Sequence, residues 1–498
     1  MFAAAWGRHR HRVADRRRHV PVTTRRYRLA GSVRSVAGGR GLLGGDPIRL
    51  MRLSVAGSRL ARSWGDDGIV VGSGSEAADA LAERLVDAGM AVPVPALLTP
   101  AELAAALEDL TVIVPVFERV DALDRCLKAL RNSGVRNIVV CDDASPNGDE
   151  IREVCTRHDA RVVRRGANGG PAAARMTGWV SLERPDVGFI AFVDSDVEVS
   201  PSWLHPLLGL FGDERVALAA PRVAHLETDG GVLDRYEEAN SPLDLGGRQA
   251  AISAGTRVSY VPAAALVVSG AAFSQVDGFD RSLSVGEDVD LCWRLVDSGW
   301  RCRYEPASVV EHRGRSSLGA MLARRIDYGR SAAQLDRRHR GALPPLRANV
   351  WSLAAVAALG ARRPGIAVAL TAWAVRSMSK RLDDIEPRIV ARLVLSGDAG
   401  AGRQLARALV RPWLPVTLVA GAASRRIRRV AMIAVAVDLL WRWAERSPRL
   451  DPVRFGALCL LDDAAYTLGV WIGCVREGRI GVLLPEISMA APGSAGKK

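Results

Sequence analysis

The chain has 498 residues, 48% of them hydrophobic and 24% charged, so a single small module, a disordered chain and a multispan transporter are excluded. Lys and Arg exceed Asp and Glu by 68 to 54, which gives a net charge of +14. This charge is compatible with phosphate, anionic lipid or nucleic acid as a partner.

Residues 1–27 are predicted to be a basic, disordered leader. Residues 1–40 contain eleven arginines against one acidic residue, Asp15. The rest of the chain is nearly neutral, so nucleic acid is not expected as a partner. No apolar segment follows the basic start, as a secretory signal requires, and the seven cysteines are scattered without CxxC pairs. We therefore expect a reduced, cytoplasmic protein.

Residues 28–97 are predicted to form a small winged-helix-like module. Short extended runs come first, and two helical stretches follow. The second stretch, residues 77–88, carries Leu81, Leu85 and Val86 on one face and ends at Gly89. A proline-rich joint then separates this module from residues 108–315.

Residues 108–315 alternate short β-branched runs with helical segments. The predicted strands are 111–116, 137–143, 161–166 and 187–193, with helices over 120–132 and 151–158. This alternation predicts an α/β fold with a parallel sheet and helices on both faces. In such sheets ligands bind beyond the carboxyl ends of the strands.

Residues 316–489 are predicted to be helical and partly hydrophobic. The apolar runs at 350–361, 365–375, 413–423, 430–443 and 455–475 are mostly shorter than the ~20 residues that span a bilayer. Arginines flank nearly every run, which favours helices in a membrane interface or a re-entrant hairpin. An ordinary helical subdomain with buried faces explains the pattern equally well. Residues 490–498 are predicted to be a disordered tail.

The sequence Asp194-Ser195-Asp196, directly after the apolar run 188–193, is the strongest chemical signal. Two carboxylates two residues apart on a turn can hold one Mg²⁺ or Mn²⁺ and leave positions open for a diphosphate. A DxD sequence is often only a solvated turn, but its place after a buried strand favours the metal site.

Three further segments add candidate site residues. Asp142 and Asp143 follow the second strand and either accept hydrogen bonds from a uracil and its ribose or cap a turn. Residues 165–175 form a glycine turn that opens a helix, with Arg175 available for a phosphate or base. Asp288 lies in an acidic helix start, and His312 lies at a strand end; each alone is typical of a structural residue.

Together these motifs resemble the family 2 glycosyltransferases, which have a GT-A fold, over roughly residues 110–315. The resemblance implies that Pro115 and Glu118 line the nucleotide, that Asp142 or Asp143 reads the base, and that Arg175 approaches the nucleotide. It also implies the roles of four more residues: metal and diphosphate binding for Asp194 and Asp196, a third metal ligand for His312, and the general base of an inverting transfer for Asp288.

Some of the family's pattern is absent. The QxxRW motif of its processive members does not occur in the chain. Arg324, Arg325, Tyr328 and Arg330 lie in the corresponding stretch, where they could close over the diphosphate.

The order of domains narrows the resemblance further. Residues 28–97 resemble PqqD-type peptide-recognition modules, and such a module ahead of a family 2 transferase resembles the glycosyltransferases of the mycofactocin system. That resemblance implies UDP-glucose as donor, a peptide-derived redox cofactor as acceptor, β-linked glucose units and a location at the cytoplasmic face of the cell membrane.

Other functions remain open. One is a membrane-associated transferase acting on a lipid or cell-wall polysaccharide, and another is a non-catalytic peptide-binding adaptor. A nucleotidylyltransferase is disfavoured, because the run 111–119 lacks the glycines of a phosphate loop.

Overall fold

The computed structural model describes residues 25–64, 69–71, 75–182, 187–226, 230–314 and 317–489. The predicted leader, up to residue 24, and the predicted tail, 490–498, lie outside the described residues. The chain divides into two compact units. The first holds the described residues of Met1–Gly31, Ser63–Ala224 and Leu245–His312, and the second those of Ser32–Arg62, His225–Asp244 and Arg313–Lys498.

The described strands are β1 (Arg25–Leu29), β2 (Arg34–Val36), β3 (Gly41–Gly44), β4 (Arg49–Arg52), β5 (Ile69–Val71), β6 (Ala91–Val94), β7 (Leu110–Val116), β8 (Asn137–Asp142), β9 (Arg161–Arg164), β10 (Phe189–Val193), β11 (Val197–Val199), β12 (Val216–Leu226), β13 (Ala250–Ala251), β14 (Ala265–Ser269), β15 (Arg301–Arg313), β16 (Arg347–Asn349) and β17 (Glu486–Ser488).

The described α-helices are α1 (Val55–Ser63), α2 (Glu76–Asp87), α3 (Pro100–Glu108), α4 (Val120–Asn132), α5 (Gly148–Arg157), α6 (Gly170–Val180), α7 (Leu204–Leu208), α8 (Val232–Asn240), α9 (Gly270–Gln275), α10 (Glu287–Asp297), α11 (Leu318–Arg338), α12 (Val350–Gly360), α13 (Pro364–Ser379), α14 (Pro387–Val410), α15 (Leu414–Ala423), α16 (Arg425–Arg446) and α17 (Pro452–Glu477).

A mixed sheet forms the centre of the first unit, in the order β11-β15-β12-β14-β10-β7-β8-β9, with β13 beside β15. Strands β10, β7, β8 and β9 are parallel, as the sequence predicts, and β14 joins β10 antiparallel. The parallel strands are apolar because helices cover the sheet on both faces. Helix α4 has the predicted bounds, and the predicted α/β fold is confirmed.

The first unit also contains a smaller sheet, in the order β5-β1-β6, with helix α2 beside it. Strand β1 begins at Arg25, inside the segment predicted as a leader. Strands β2, β3 and β4 belong instead to the second unit, where Val36 and Leu43 pack with Ile385 and Val390. Residues 28–97 therefore contribute to both units, and their peptide-recognition role stays a prediction.

The second unit is mainly helical, as predicted for residues 316–489. Helices α11 and α17 pack at backbone contact through glycines. A Cβ atom on Gly469 would lie 2.1 Å from the carbonyl oxygen of Ile326, and one on Gly329 would lie 2.2 Å from that of Tyr466. Only glycine allows two helices to approach so closely.

Among the described residues, α17 is the one helix both long and apolar enough to cross a membrane, and half of its apolar window is buried. It carries Asp462 and Asp463, whose carboxylates pair at 2.9 Å with Arg325 and Arg442. Buried ion pairs of this kind are also common in core helices of folded domains.

Candidate active site

The two aspartates of the DxD sequence follow β10 and face different cations. The backbone N–H of Asp194 donates to Ala264 O at 2.9 Å, which ties the turn to the residue before β14. Asp194 Oδ1 accepts from Arg175 Nη2 at 2.6 Å. Asp196 instead forms an ion pair with Arg119, and His312 Nε2 lies 3.5 Å from Asp196 Oδ2.

Sheet register places His312 beside the DxD sequence. Strands β11 and β15 are antiparallel, with Val197 opposite His312, so the imidazole reaches Asp196. Both side chains are mostly buried, at 13% and 14% exposure. A carboxylate oxygen and an imidazole nitrogen suit a divalent cation such as Mn²⁺, so these residues fit a metal.

Two of the three predicted metal ligands thus lie together, whereas the Asp194 carboxylate is hydrogen-bonded to Arg175. Within the described part of the chain, no group of three or more His, Cys, Asp or Glu side chains is arranged as a metal site.

Asp288 lies in the first turn of α10, which starts after Gly286 in a left-handed conformation, φ 86°. Its Oδ1 accepts from Val289 N at 2.8 Å, and its Oδ2 accepts from Ala263 N at 3.3 Å. Burial and the charge of Glu287 raise the pKa of Asp288 to about 7. A carboxylate with such a pKa is suited to general-base catalysis near neutral pH.

Arg175 links the two acidic motifs. Its guanidinium donates to Asp194 at 2.6 Å and to Glu287 Oε1 at 2.8 Å, and it lies 5.4 Å from the centre of the Phe279 ring. The side chain is 2% exposed. Its observed contacts are therefore internal and position the two carboxylates, while its contact with a nucleotide stays a prediction.

Asp142, the last residue of β8, and Asp143, which follows it, are held by hydrogen bonds and ion pairs. Asp142 is 1% exposed, accepts from Ser145 N at 2.9 Å and pairs with Arg164. Asp143 pairs with Arg165 and accepts from the backbone N–H groups of Gly169 and Gly170. Asp143 therefore anchors the glycine turn before α6.

The predicted residues after β7 lie at the same sheet edge, because Val116 is in register with Asp142. Pro115 is buried within β7, whereas Glu118 is exposed with φ 65°. The N–H of Glu118 donates to Ser145 Oγ at 3.0 Å. The loops after β7 and β8 are thereby joined.

Sequence reasoning did not single out the cations that pair with these carboxylates: Arg119, Arg164 and Arg165. Arg119 lies three residues after the predicted strand 111–116, and Arg164 and Arg165 lie near the end of the predicted strand 161–166. A basic residue at or near the end of a strand is the signal that would have found them. Asp290, two residues after Asp288, is fully buried and pairs with Arg294 at 2.7 Å. The structure therefore gives Asp290 a structural partner within its own helix.

Comparisons with known proteins identify the family of this chain. The model of "Glycosyl transferase family 2" matches residues 111–261, and that of "Glycosyl transferase family group 2" matches residues 189–441. The chain is 38% identical over 468 residues to the pre-mycofactocin glycosyltransferase of Mycobacterium tuberculosis, covering 91% of this chain and 96% of that protein.

Two solved structures are also similar to this chain. Residues 1–349 of TarS from S. aureus are 17% identical, with a TM-score of 0.34, over 45% of this chain and 64% of that one. GalNAc-T7 with UDP, GalNAc and Mn²⁺ is 16% identical, with a TM-score of 0.31, over 41% of this chain and 43% of that one.

The mycobacterial enzyme aligns along nearly the whole chain, and the two family models together cover the sheet and most of the helical region. The protein therefore belongs to the family 2 glycosyltransferases.

Proposed function

We propose that this glycosyltransferase moves glucose from UDP-glucose to a hydroxyl of the peptide-derived cofactor mycofactocin or its precursor, with inversion at the anomeric carbon. The acceptor is proposed by analogy with the 38%-identical pre-mycofactocin glycosyltransferase of Mycobacterium tuberculosis. The observation that supports the catalytic role is the environment of Asp288. Burial and the charge of Glu287 raise the pKa of its carboxylate to about 7.

Asp288 is the general base in this proposal. Above pH 7 its carboxylate is ionised and accepts the proton of the acceptor hydroxyl as that oxygen attacks the sugar. Backbone donors from Ala263 and Val289 fix its orientation. One base and one displacement invert the anomeric centre, so an α-linked donor yields a β-glycoside.

Asp196 and His312 would hold a divalent cation, with Asp194 completing the diphosphate site. When bound, a Mg²⁺ or Mn²⁺ ion offsets negative charge on the departing nucleoside diphosphate. Arg175 keeps Asp194 in place through its hydrogen bond of 2.6 Å.

The nucleoside would bind at the edge formed by the loops after β7 and β8. Pro115 and Glu118 would line it, and Asp142 or Asp143 would read the base. The hydrogen bond between Glu118 and Ser145 keeps the two loops together, which preorganises this edge for a planar base.

Residues 28–97 would present the peptide-derived acceptor. Within the first unit, the sheet of β5, β1 and β6 shares a buried ion network with the catalytic sheet. Arg301 of β15 pairs with Asp213 at 2.7 Å and with Asp87 of α2 at 2.6 Å. The part of the module that belongs to the first unit is thereby kept at a fixed distance from the base.

We also propose that the second unit binds the cytoplasmic face of the cell membrane through an arginine-flanked tip, formed by the α12–α13 and α15–α16 turns. Arg426 Nη2 donates to Ala361 O at 2.9 Å, which brings the two turns together. The arginines are Arg362, Arg363, Arg425, Arg426, Arg428 and Arg429. The tip's exposed apolar side chains on α15 and α16 are Val416, Leu418, Val419, Met432 and Ile433. Apolar side chains ringed by arginine suit an anionic lipid surface.

The decisive experiment incubates the full chain with UDP-glucose, UDP-galactose or GDP-mannose and the peptide-derived acceptor. We expect a mass gain of one or more hexoses with UDP-glucose and a β anomeric signal by NMR. Transfer only to a lipid or polysaccharide acceptor would replace the proposed acceptor, and nucleotide binding without transfer would favour the adaptor function.

A further inference from the structure

Arg119 forms an ion pair with the carboxylate of Asp196, which is a proposed metal ligand. Its Nη1 pairs with Asp196 Oδ2, the same oxygen that His312 Nε2 approaches at 3.5 Å. Arg119 is 44% exposed and Asp196 only 13%. A solvent-accessible cation thus sits on a largely buried anion.

The backbone around Arg119 is fixed, although its side chain is accessible. The preceding residue, Glu118, has φ 65°, donates through its N–H to Ser145 Oγ at 3.0 Å and accepts from Asn147 Nδ2 at 3.3 Å. Helix α4 begins directly after Arg119. Side-chain rotation alone therefore decides whether the guanidinium stays on Asp196.

We propose that Arg119 is a positioning residue that occupies Asp196 before the metal and nucleotide bind. When the metal and the nucleotide bind, the guanidinium of Arg119 moves from Asp196 to the diphosphate. This inference rests on the proposed metal role of Asp196 and His312. Two cations cannot share one carboxylate oxygen without repulsion, whereas an incoming diphosphate offers the displaced guanidinium a new anionic partner. Arg119 therefore weakens metal binding to the free protein and couples it to nucleotide binding.

The test measures Mn²⁺ binding to the full chain, from the EPR signal of free Mn²⁺, with and without UDP. In Arg119→Gln we expect Mn²⁺ alone to bind about two- to fivefold more tightly, the range expected for loss of one exposed ion pair. We also expect UDP to enhance Mn²⁺ affinity less in this variant than in the natural chain, because the guanidinium whose move from Asp196 to the diphosphate couples the two binding events is absent.

Two further variants make the comparison specific. Arg119→Lys keeps a cation and should bind Mn²⁺ as weakly as the natural chain. Arg125→Gln is the matched control, because Arg125 lies on α4, the helix that follows Arg119, is 40% exposed and pairs with Glu198 at 3.1 Å. Its Mn²⁺ affinity should stay within about twofold of the natural chain's.

If the natural chain binds Mn²⁺ and Arg119→Gln binds it equally or more weakly, the proposed role of Arg119 is wrong, whereas the metal assignment is not affected. Absence of Mn²⁺ binding in both proteins, with and without UDP, overturns the metal assignment of Asp196 and His312 as well.

Discussion

At the scale of single residues, the local environment determines the chemistry of Asp288. An exposed aspartate has a pKa of about 3.9, whereas burial and the Glu287 charge raise the pKa of Asp288 to about 7. Arg175 limits this effect, because its positive charge lowers the pKa of Asp288. The same arginine pairs with Glu287 and Asp194, so one buried cation influences both the base and the diphosphate site.

The pH dependence of transfer follows from this pKa. A general base works only when deprotonated, so kcat should fall about tenfold per pH unit below a midpoint near 7. Timed assays of hexose transfer between pH 5.5 and 8.5, at saturating donor and acceptor, measure how kcat falls toward low pH. A rate that stays constant down to pH 5.5 would remove Asp288 from the proton transfer.

Substitution Asp288→Asn should lower transfer by roughly a hundredfold or more while UDP-glucose binding is kept. Because the pKa of Asp288 is raised in the folded protein, its ionised form costs stability, increasingly between pH 4 and pH 7. The melting temperature of the variant at pH 8 should therefore not fall. Near-normal transfer with a lower melting temperature would identify a structural carboxylate and leave Glu287 as the base to test.

Substitution Asp196→Ala should abolish the Mg²⁺- or Mn²⁺-dependent part of turnover and leave the fold intact, because the side chain is a proposed metal ligand. Glu198→Gln is the control, since Glu198 follows in β11 and pairs with Arg125. Activity of the natural chain that is equal with and without chelator would contradict the metal assignment.

At the scale of elements, the ends of β7, β8, β10 and β15 and the start of α10 hold most of the predicted site residues. Arg175 lies on α6, and the stretch from Arg324 to Arg330 lies on α11. Parallel strands place their carboxyl ends at one edge, and β14 and β15 extend this edge toward His312. The sheet of β5, β1 and β6 belongs to the same unit. Its link to the catalytic sheet is ionic, since Asp213 accepts both from Arg301 at 2.7 Å and from the Tyr27 hydroxyl at 3.0 Å.

Removing the central cation of this network should destabilise the first unit. Arg301→Gln removes the closer of the two arginines that pair with buried Asp213 and leaves only Arg25 at 3.4 Å. Breaking a buried ion pair of this kind should cost up to about 3–5 kcal/mol. Arg215→Gln is the matched control, because Arg215 is 49% exposed and pairs with Glu83 at 3.3 Å; it should cost less than about 1 kcal/mol. Denaturant unfolding measures both variants, and equal losses would contradict a role for burial.

At the scale of the whole molecule, a net charge of +14 and the arginine-flanked tip favour anionic surfaces. Each arginine near an anionic leaflet contributes about 1 kcal/mol, and salt screens this attraction. The exposed valines of α15 add apolar contact, since Val416 and Val419 are 56% and 73% exposed.

We therefore expect the protein to sediment with vesicles that contain phosphatidylglycerol and to be released by high salt. Exchange of Val416 and Val419 for Ser should weaken binding. Exchange of Val453, which is more exposed than either at 79% but lies at the start of α17, should leave binding unchanged. Full solubility without vesicle binding would favour an ordinary helical subdomain.

The sequence by itself determined the local elements and the chemical motifs. Strand runs such as 111–116 and the helix 120–132 are visible because hydrophobic periodicity and turn residues act over a few neighbours. The DxD pair, Asp288 and His312 were recognisable from residue type and order along the chain.

Only the tertiary structure decided which cation meets which carboxylate. Arg119 with Asp196, and Arg175 with Asp194 and Glu287, are contacts between residues 19 to 112 positions apart. The division of residues 28–97 between two units likewise depends on partners such as Arg301 and Val390, far along the chain. Burial and long-range charge set these pairings and the pKa of Asp288, and neither can be read from neighbouring residues alone.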